Sequence, residues 1–166
     1  MPTNEAQARQ AVVDFYQKTL GQLPDDWYWS STFPNGHDIA DEGSSYGLDG
    51  TTWKFTVTFW LRGDIVDTSE EPEHDYPFFD RVVSVWERIG WHKTTDETDT
   101  NGTRYVNGRT DTGLETSLQI SKIGGIGSMT QIHYPRTGSG ADRPDNTFPR
   151  LITRNGPAPW TPPSTN

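Results

Sequence analysis

The chain has 166 residues, 31% of them hydrophobic and 22% charged, with 14 Lys and Arg against 23 Asp and Glu for a net charge of −9. One domain of ordinary size fits that length. A mean hydropathy of −0.80 would point to disorder but for seven Trp, six Tyr and seven Phe, whose rings each bury a large area. No run reaches the ~18 apolar residues of a membrane-spanning helix. The acidic balance and the scatter of the basic residues argue against a nucleic-acid footprint. Cysteine is absent, which excludes disulfides, thiolate zinc sites and cysteine nucleophiles.

In chain order, Asn4 to Leu20 reads as a helix. Asn4 can cap it and Gln7 can reach back. Ala8, Ala11, Val12, Phe15, Tyr16 and Leu20 recur at helical spacing, and Gly21 suits the position just past the end. Trp27 to Phe33 is aromatic and β-prone. Residues 34–52, mostly Gly, Asp, Ser and Asn, read as loop. Trp53 to Arg62 alternates strictly: Trp53, Phe55, Val57, Phe59 and Leu61 share one face, while Lys54, Thr56, Thr58 and Arg62 share the other with Trp60 as the exception. That is the pattern of a half-buried antiparallel strand. Six carboxylates between Asp64 and Asp75 form an acidic run. Tyr76 to Ile89 reads as a second helix with a Phe79, Val82, Val83, Trp86 stripe, ended by Gly90 with Trp91 folding back. Asp96 to Gly102 is a polar turn. Thr103 to Arg109, Leu114 to Ser121 and Ile126 to Tyr134 then make a three-stranded meander joined at Asp111-Thr112-Gly113 and Gly124-Gly125. From Pro135 on, Pro supplies seven of the remaining 32 residues and periodicity disappears.

The expected fold class is α+β: a two-layer sandwich of a mostly antiparallel sheet with two helices on one face, plus an irregular Pro-rich C-terminal tail. The expected division is residues 1–135 as the sandwich and 136–166 as an extended tail. With four Arg and two Asp, the tail has the opposite sign to the rest and either lies over the domain or hangs free.

The run Val83, Trp86-Glu87-Arg88-Ile89-Gly90-Trp91 resembles the second helix of small actinobacterial lipoproteins of the LppA-like kind, where an Arg-containing strand follows. Thr112-Gly113-Leu114 to Ile120 and Ile132-His133-Tyr134-Pro135 resemble the later strands of that family, and Tyr46-Gly47-Leu48-Asp49-Gly50 its early loop. The resemblance spans roughly residues 5–135. It implies a cell-envelope location and a two-layer α+β fold, and it implies no reaction. Many of those proteins carry a cysteine near the early loop and another near the end of the last strand. Here those regions offer Tyr46 and Tyr134, and the lipid-bearing cysteine and leader are missing too.

Motifs for chemistry are sparse. His37, His74, His92 and His133 are each more than four residues apart, without the short-range spacing of a metal site. They read as solvated loop histidines, although Glu73 and Asp75 flank His74. Glu97 to Gly102 imitates the start of a calcium loop, but Glu97 stands where Asp belongs and Gly108 where the bidentate Glu belongs. The acidic run from Asp64 to Asp75 reads as a solvated loop. Gly138-Ser139-Gly140 lacks a nucleophile elbow's strand-turn-helix context, and Gly124 to Gly127 lacks the Lys of a phosphate loop. No cofactor, metal site or catalytic residue is expected.

The aromatic residues remain. In a strand Trp27 and Trp29 face one way and Tyr28 the other, so one side is core. The expected binding residues are Trp29, Tyr28 and Trp60, with Trp160 of the tail as the ring that covers or joins such a patch. Packing beneath a loop is the plainer reading of the same rings.

The resulting expectation is a non-enzymatic, lipoprotein-like interaction module of the cell envelope whose partner is another protein. A leader would then have been removed, and a native precursor would carry a lipid anchor. One alternative is a cytosolic or phage-encoded accessory protein, of immunity or virion-associated type, that binds a protein partner. Another is a small-ligand binder or enzyme with a cleft between sheet and tail. Oligomeric state stays open.

Overall fold

The computed structural model describes residues 2–31, 44–47, 51–63, 72–120, 125–135 and 148–158, with the backbone alone for 44–47, 72–77 and 158. Helix α1 (Glu5–Leu20) starts as its sequence dictates. The Asn4 side chain accepts from the Gln7 amide at 2.8 Å, and Gln7 Oε1 accepts from the Thr3 amide at 2.9 Å, so one orphan donor of the first turn and the amide just ahead of the cap are satisfied. Gly21 departs from expectation. Its φ is −60°, a right-handed conformation open to any residue, and the chain leaves the helix through tight turns at Gln22 and Leu23.

Helix α2 (Pro72–Arg88) begins four residues earlier than the stripe suggests. It ends at Gly90, whose φ of 101° suits glycine alone among ordinary choices. That reversal sends Trp91 back under the helix, where its ring meets Trp86 at 5.3 Å between centroids.

Among the described residues nine strands form one antiparallel sheet: β1 (Tyr28–Ser30), β2 (Ser44–Gly47), β3 (Thr52–Arg62), β4 (Trp91–Thr98), β5 (Arg104–Thr110), β6 (Leu114–Ile120), β7 (Ile126–Pro135), β8 (Leu151–Thr153) and β9 (Gly156–Ala158). Their order is β4-β5-β6-β7-β3-β1-β8-β9, with β2 also on β3. Both helices lie on the face where Phe55, Val57, Phe59 and Leu61 project, and these four are buried together with Val82, Trp86 and the α1 stripe in one core. The molecule is therefore an α+β two-layer structure.

Three segments differ from the sequence reading. Trp91 packs back as expected, but it also opens a strand, Trp91–Thr98, that runs into the expected turn at Asp96–Gly102. The strand lies at the sheet edge, every residue after Trp91 is exposed, and its register with β5 shifts between Lys93 and Thr95. Such a strand has no buried face to print an alternation on the sequence. Ser44–Gly47, inside the expected 34–52 loop, pairs with β3. The tail is not irregular throughout: β8 pairs with β1 and β9 with β8. Ile152 is fully buried, and Phe148 packs on Phe55 at 4.9 Å. A boundary at 135 therefore cuts through a shared core, because residues 148–158 are tied into it by strand pairing and ring contacts. The acidic run at 64–71, His37 and Trp160 lie outside the described residues, as do the side chains of His74 and Asp75.

Polar groups tie the layers together. Trp86 Nε1 donates to Thr19 Oγ1 at 2.8 Å, and that hydroxyl donates to the Phe15 carbonyl. The phenol of Tyr16 shares hydrogen bonds with Ser128, at 2.7 Å, and with Thr130. Thr116 joins Thr130 at 2.8 Å. All four hydroxyls are buried, and burial pushes the Tyr16 phenol above its ordinary range, so it stays a neutral hydrogen-bonding group. Arg9 is also fully buried. It pairs with Glu5 at 2.9 Å and lies 4.5 Å over the Phe55 ring, which satisfies a charge that would otherwise be costly there.

Candidate binding surface

The face of the sheet opposite the helices is built by strand register. From β3 to β4, one cross-strand row runs Trp60, Gly127, Gln119, Tyr105, Glu97. The next runs Thr58, Met129, Ser117, Asn107, Thr95, and the third Thr56, Gln131, Glu115, Arg109, His92. These are the positions alternate to the core residues. Among the described residues no helix covers them, and Met129 is 56% exposed.

The second and third rows enclose a shallow depression of about 410 Å³ around Asn107, Arg109, Glu115, Ser117, Met129 and Gln131. Gln131 donates to the Glu115 carboxylate, and Asn107 Nδ2 donates to Thr95 Oγ1 at 2.7 Å. Each bond engages the amide nitrogen and uses neither carbonyl oxygen. Arg109 is exposed and makes no side-chain hydrogen bond or ion pair among the described residues. At the near end, exposed His92 meets Asp111 at 3.3 Å. The arrangement can donate and accept many hydrogen bonds.

Of the aromatic residues expected to bind, the fold parts Trp29 from Tyr28 and Trp60. Trp29 is fully buried, 4.9 Å from Tyr16 and 6.4 Å from Trp86 between ring centroids, so it is core and not a contact residue. The pleat decides this, because Trp29 pairs with Leu61 and so shares its inward face. Tyr28 pairs with Arg62 and Ser30 with Trp60, which puts half-buried Tyr28 on the open face one pleat away from Trp60. The Trp60 ring crosses over Gly127, reaching 3.0 Å from where a Cβ would stand, with Gln119 at 3.2 Å. Trp160 is outside the described residues. The depression itself was not anticipated. Its side chains come from four strands, and the only local hint was the polar half of each alternation.

No family model matches the chain, and no curated protein matches it. Among solved structures, the chain is similar to that of LppA from Mycobacterium tuberculosis, a protein taken to be a lipoprotein. The identity is 10% and the TM-score 0.45, over 82% of this chain and 83% of that one. The likeness is distant and assigns neither a family nor an activity to this chain.

Among the described residues no three His, Asp or Glu side chains gather as a metal site. The imitation calcium loop is a tight turn in which Asp99 Oδ1 accepts from the amides of Asn101 and Thr103 at 2.8 and 3.0 Å, so its carboxylate caps the chain itself. Among the described residues no helix is long and apolar enough to cross a membrane.

Proposed function

We propose that this protein is a non-enzymatic binding module that works in the cell envelope and presents the open face of its sheet to its partner. One observation carries the reading: the helices cover one face, while on the other Asn107, Arg109, Glu115, Ser117, Met129 and Gln131 converge on a depression. Convergent polar groups around a concavity are the ordinary mark of a binding site. The site lies out on the sheet, not in a cleft between sheet and tail. Placing it on strands instead of loops fixes the geometry before binding. The envelope assignment rests on the sequence resemblance to small lipoproteins.

The test places a photo-crosslinking residue at Ser117 and, separately, at Glu87 on the exposed side of α2, in the native gene product expressed in its own cells. Capture from Ser117 in the envelope fraction, with none from Glu87, is the expected result. Capture from both positions alike, or a product confined to the cytosol, overturns the reading.

A further inference from the structure

We infer that the depression on the open face is a saccharide site, taking a neutral sugar residue or a short stretch of neutral polysaccharide. The inference rests on the binding-module reading and adds the chemical class of the ligand. Its lining is mixed in the way a polyol requires. Asn107 and Gln131 bring amides, Ser117 a hydroxyl, Glu115 an acceptor and Arg109 a fork of donors without a partner among the described residues. A sugar ring carries vicinal hydroxyls that each donate and accept, and planar amide, carboxylate and guanidinium groups pair with two neighbours at once. Adjacent strands stand about 4.8 Å apart, close to the length of one pyranose residue, so successive strands offer their groups at the pitch of the ligand. Met129, exposed in the middle row, supplies apolar ground for the C–H face of a ring.

Charge narrows the class. The middle row, Thr58, Met129, Ser117, Asn107 and Thr95, is uncharged. Beside it Arg109 and Glu115 stand opposite each other in register, one charge of each sign. A phosphate polymer needs a cluster of cations, and an amphipathic helix needs an apolar groove. Among the described residues, the three rows around the depression carry Arg109 as their one Lys or Arg and present no apolar groove. The depression of about 410 Å³ falls in the range of about 300–1,000 Å³ usual for small-ligand sites. Its floor is held from below: the Thr116 hydroxyl donates to the Met129 carbonyl at 3.2 Å and belongs to the buried cluster with Ser128, Thr130 and Tyr16. A site held this firmly loses little freedom when it binds.

The test titrates the full chain with cellohexaose, maltohexaose, mannohexaose and chitohexaose, and with oligogalacturonate as the anionic control. NMR follows the Met129 methyl and the side-chain amides of Asn107 and Gln131. Pull-down on the matching insoluble polysaccharides then separates a free oligosaccharide from a polymer as the source. At least one neutral sugar is expected to shift these signals, and Asn107→Ala and Gln131→Ala each to weaken it by about tenfold. Asp14→Ala on α1 should leave it unchanged, with near-UV circular dichroism confirming native packing in every variant. Shifts with the anionic control alone, shifts that survive both variants, or none with any sugar overturn the inference. If no sugar binds while Ser117 still crosslinks, the saccharide class falls and the binding-module reading stands. If both experiments are blank, both fall.

Discussion

The two faces of this sheet come from the same strands and follow opposite rules. Toward the helices, Phe55, Val57, Phe59 and Leu61 of β3 meet Leu118, Ile126 and Ile132 and the stripes of both helices in one dry core. Away from them, the alternate residues of the same strands stay wet and polar and enclose a hollow. Two glycine–tryptophan contacts show the contrast. A Cβ on Gly108 would overlap the buried Trp91 ring and stand 2.5 Å from the His92 carbonyl oxygen, whereas one on Gly127 meets the Trp60 ring at 3.0 Å. Inside, the ring and a backbone atom leave no room to give. Outside, the contact asks for a few tenths of an ångström. The core face holds the packing that stabilises the fold, and the open face holds polar side chains around a hollow.

The largest effect that sharpens this contrast is Trp86→Ala. The ring touches Phe15, Trp29 and Trp91 and donates to Thr19, so its loss costs about 3–5 kcal/mol in urea unfolding. Met129→Ala on the open face costs under about 0.5 kcal/mol in the same assay, and equal costs would erase the distinction. Gly108→Ala comes next, at about 1–3 kcal/mol by overpacking. Gly127→Ala costs less than Gly108→Ala, and the reverse order in thermal unfolding would mean the two contacts were misread. Tyr16→Phe strips one partner from Ser128 and Thr130 and costs about 1–2 kcal/mol, measured by guanidinium unfolding. A neutral result would show that the hydroxyls pair as well without the phenol.

The last of the destabilising effects is electrostatic. Arg104 donates to Asp96 on β4 at 2.8 and 3.0 Å and to Asp80 on α2 at 2.9 Å. The hydrogen bond from Arg104 holds the Asp96 carboxyl below its ordinary value of 3.8. A carboxyl lowered by folding stabilises the native state above its unfolded pKa, and that contribution is lost as pH falls through the native one. Arg104→Ala should therefore cost about 1 kcal/mol at neutral pH, since the partners are partly exposed, and flatten the acid limb of the stability profile below about pH 4. An unchanged acid limb would mean that Asp96 is not held by this pair.

Much of the layering was legible in the sequence. The alternation from Trp53 to Leu61 and the stripe from Phe79 to Trp86 record burial on one side, and burial leaves a local period. Asn4 and Gln7 spelled the helix start, and Gly90 the helix stop. Edge and short strands left no such mark. Trp91–Thr98 is exposed along nearly its whole length, and Ser44–Gly47 and Leu151–Thr153 are only four and three residues long. The aromatic candidates divided where the sequence could not say which side of a three-residue strand faces in. Pairing with Leu61 sends Trp29 inward, and pairing with Arg62 turns Tyr28 out.

By itself, then, the order of side chains determined which residues leave water, because a two- or 3.6-residue period is a local property of the chain. Only the tertiary structure decided which outward residues become neighbours. His92, Arg109, Glu115 and Gln131 stand in one row because register aligns four strands, and register is set by long-range pairing and turn geometry that no local window contains.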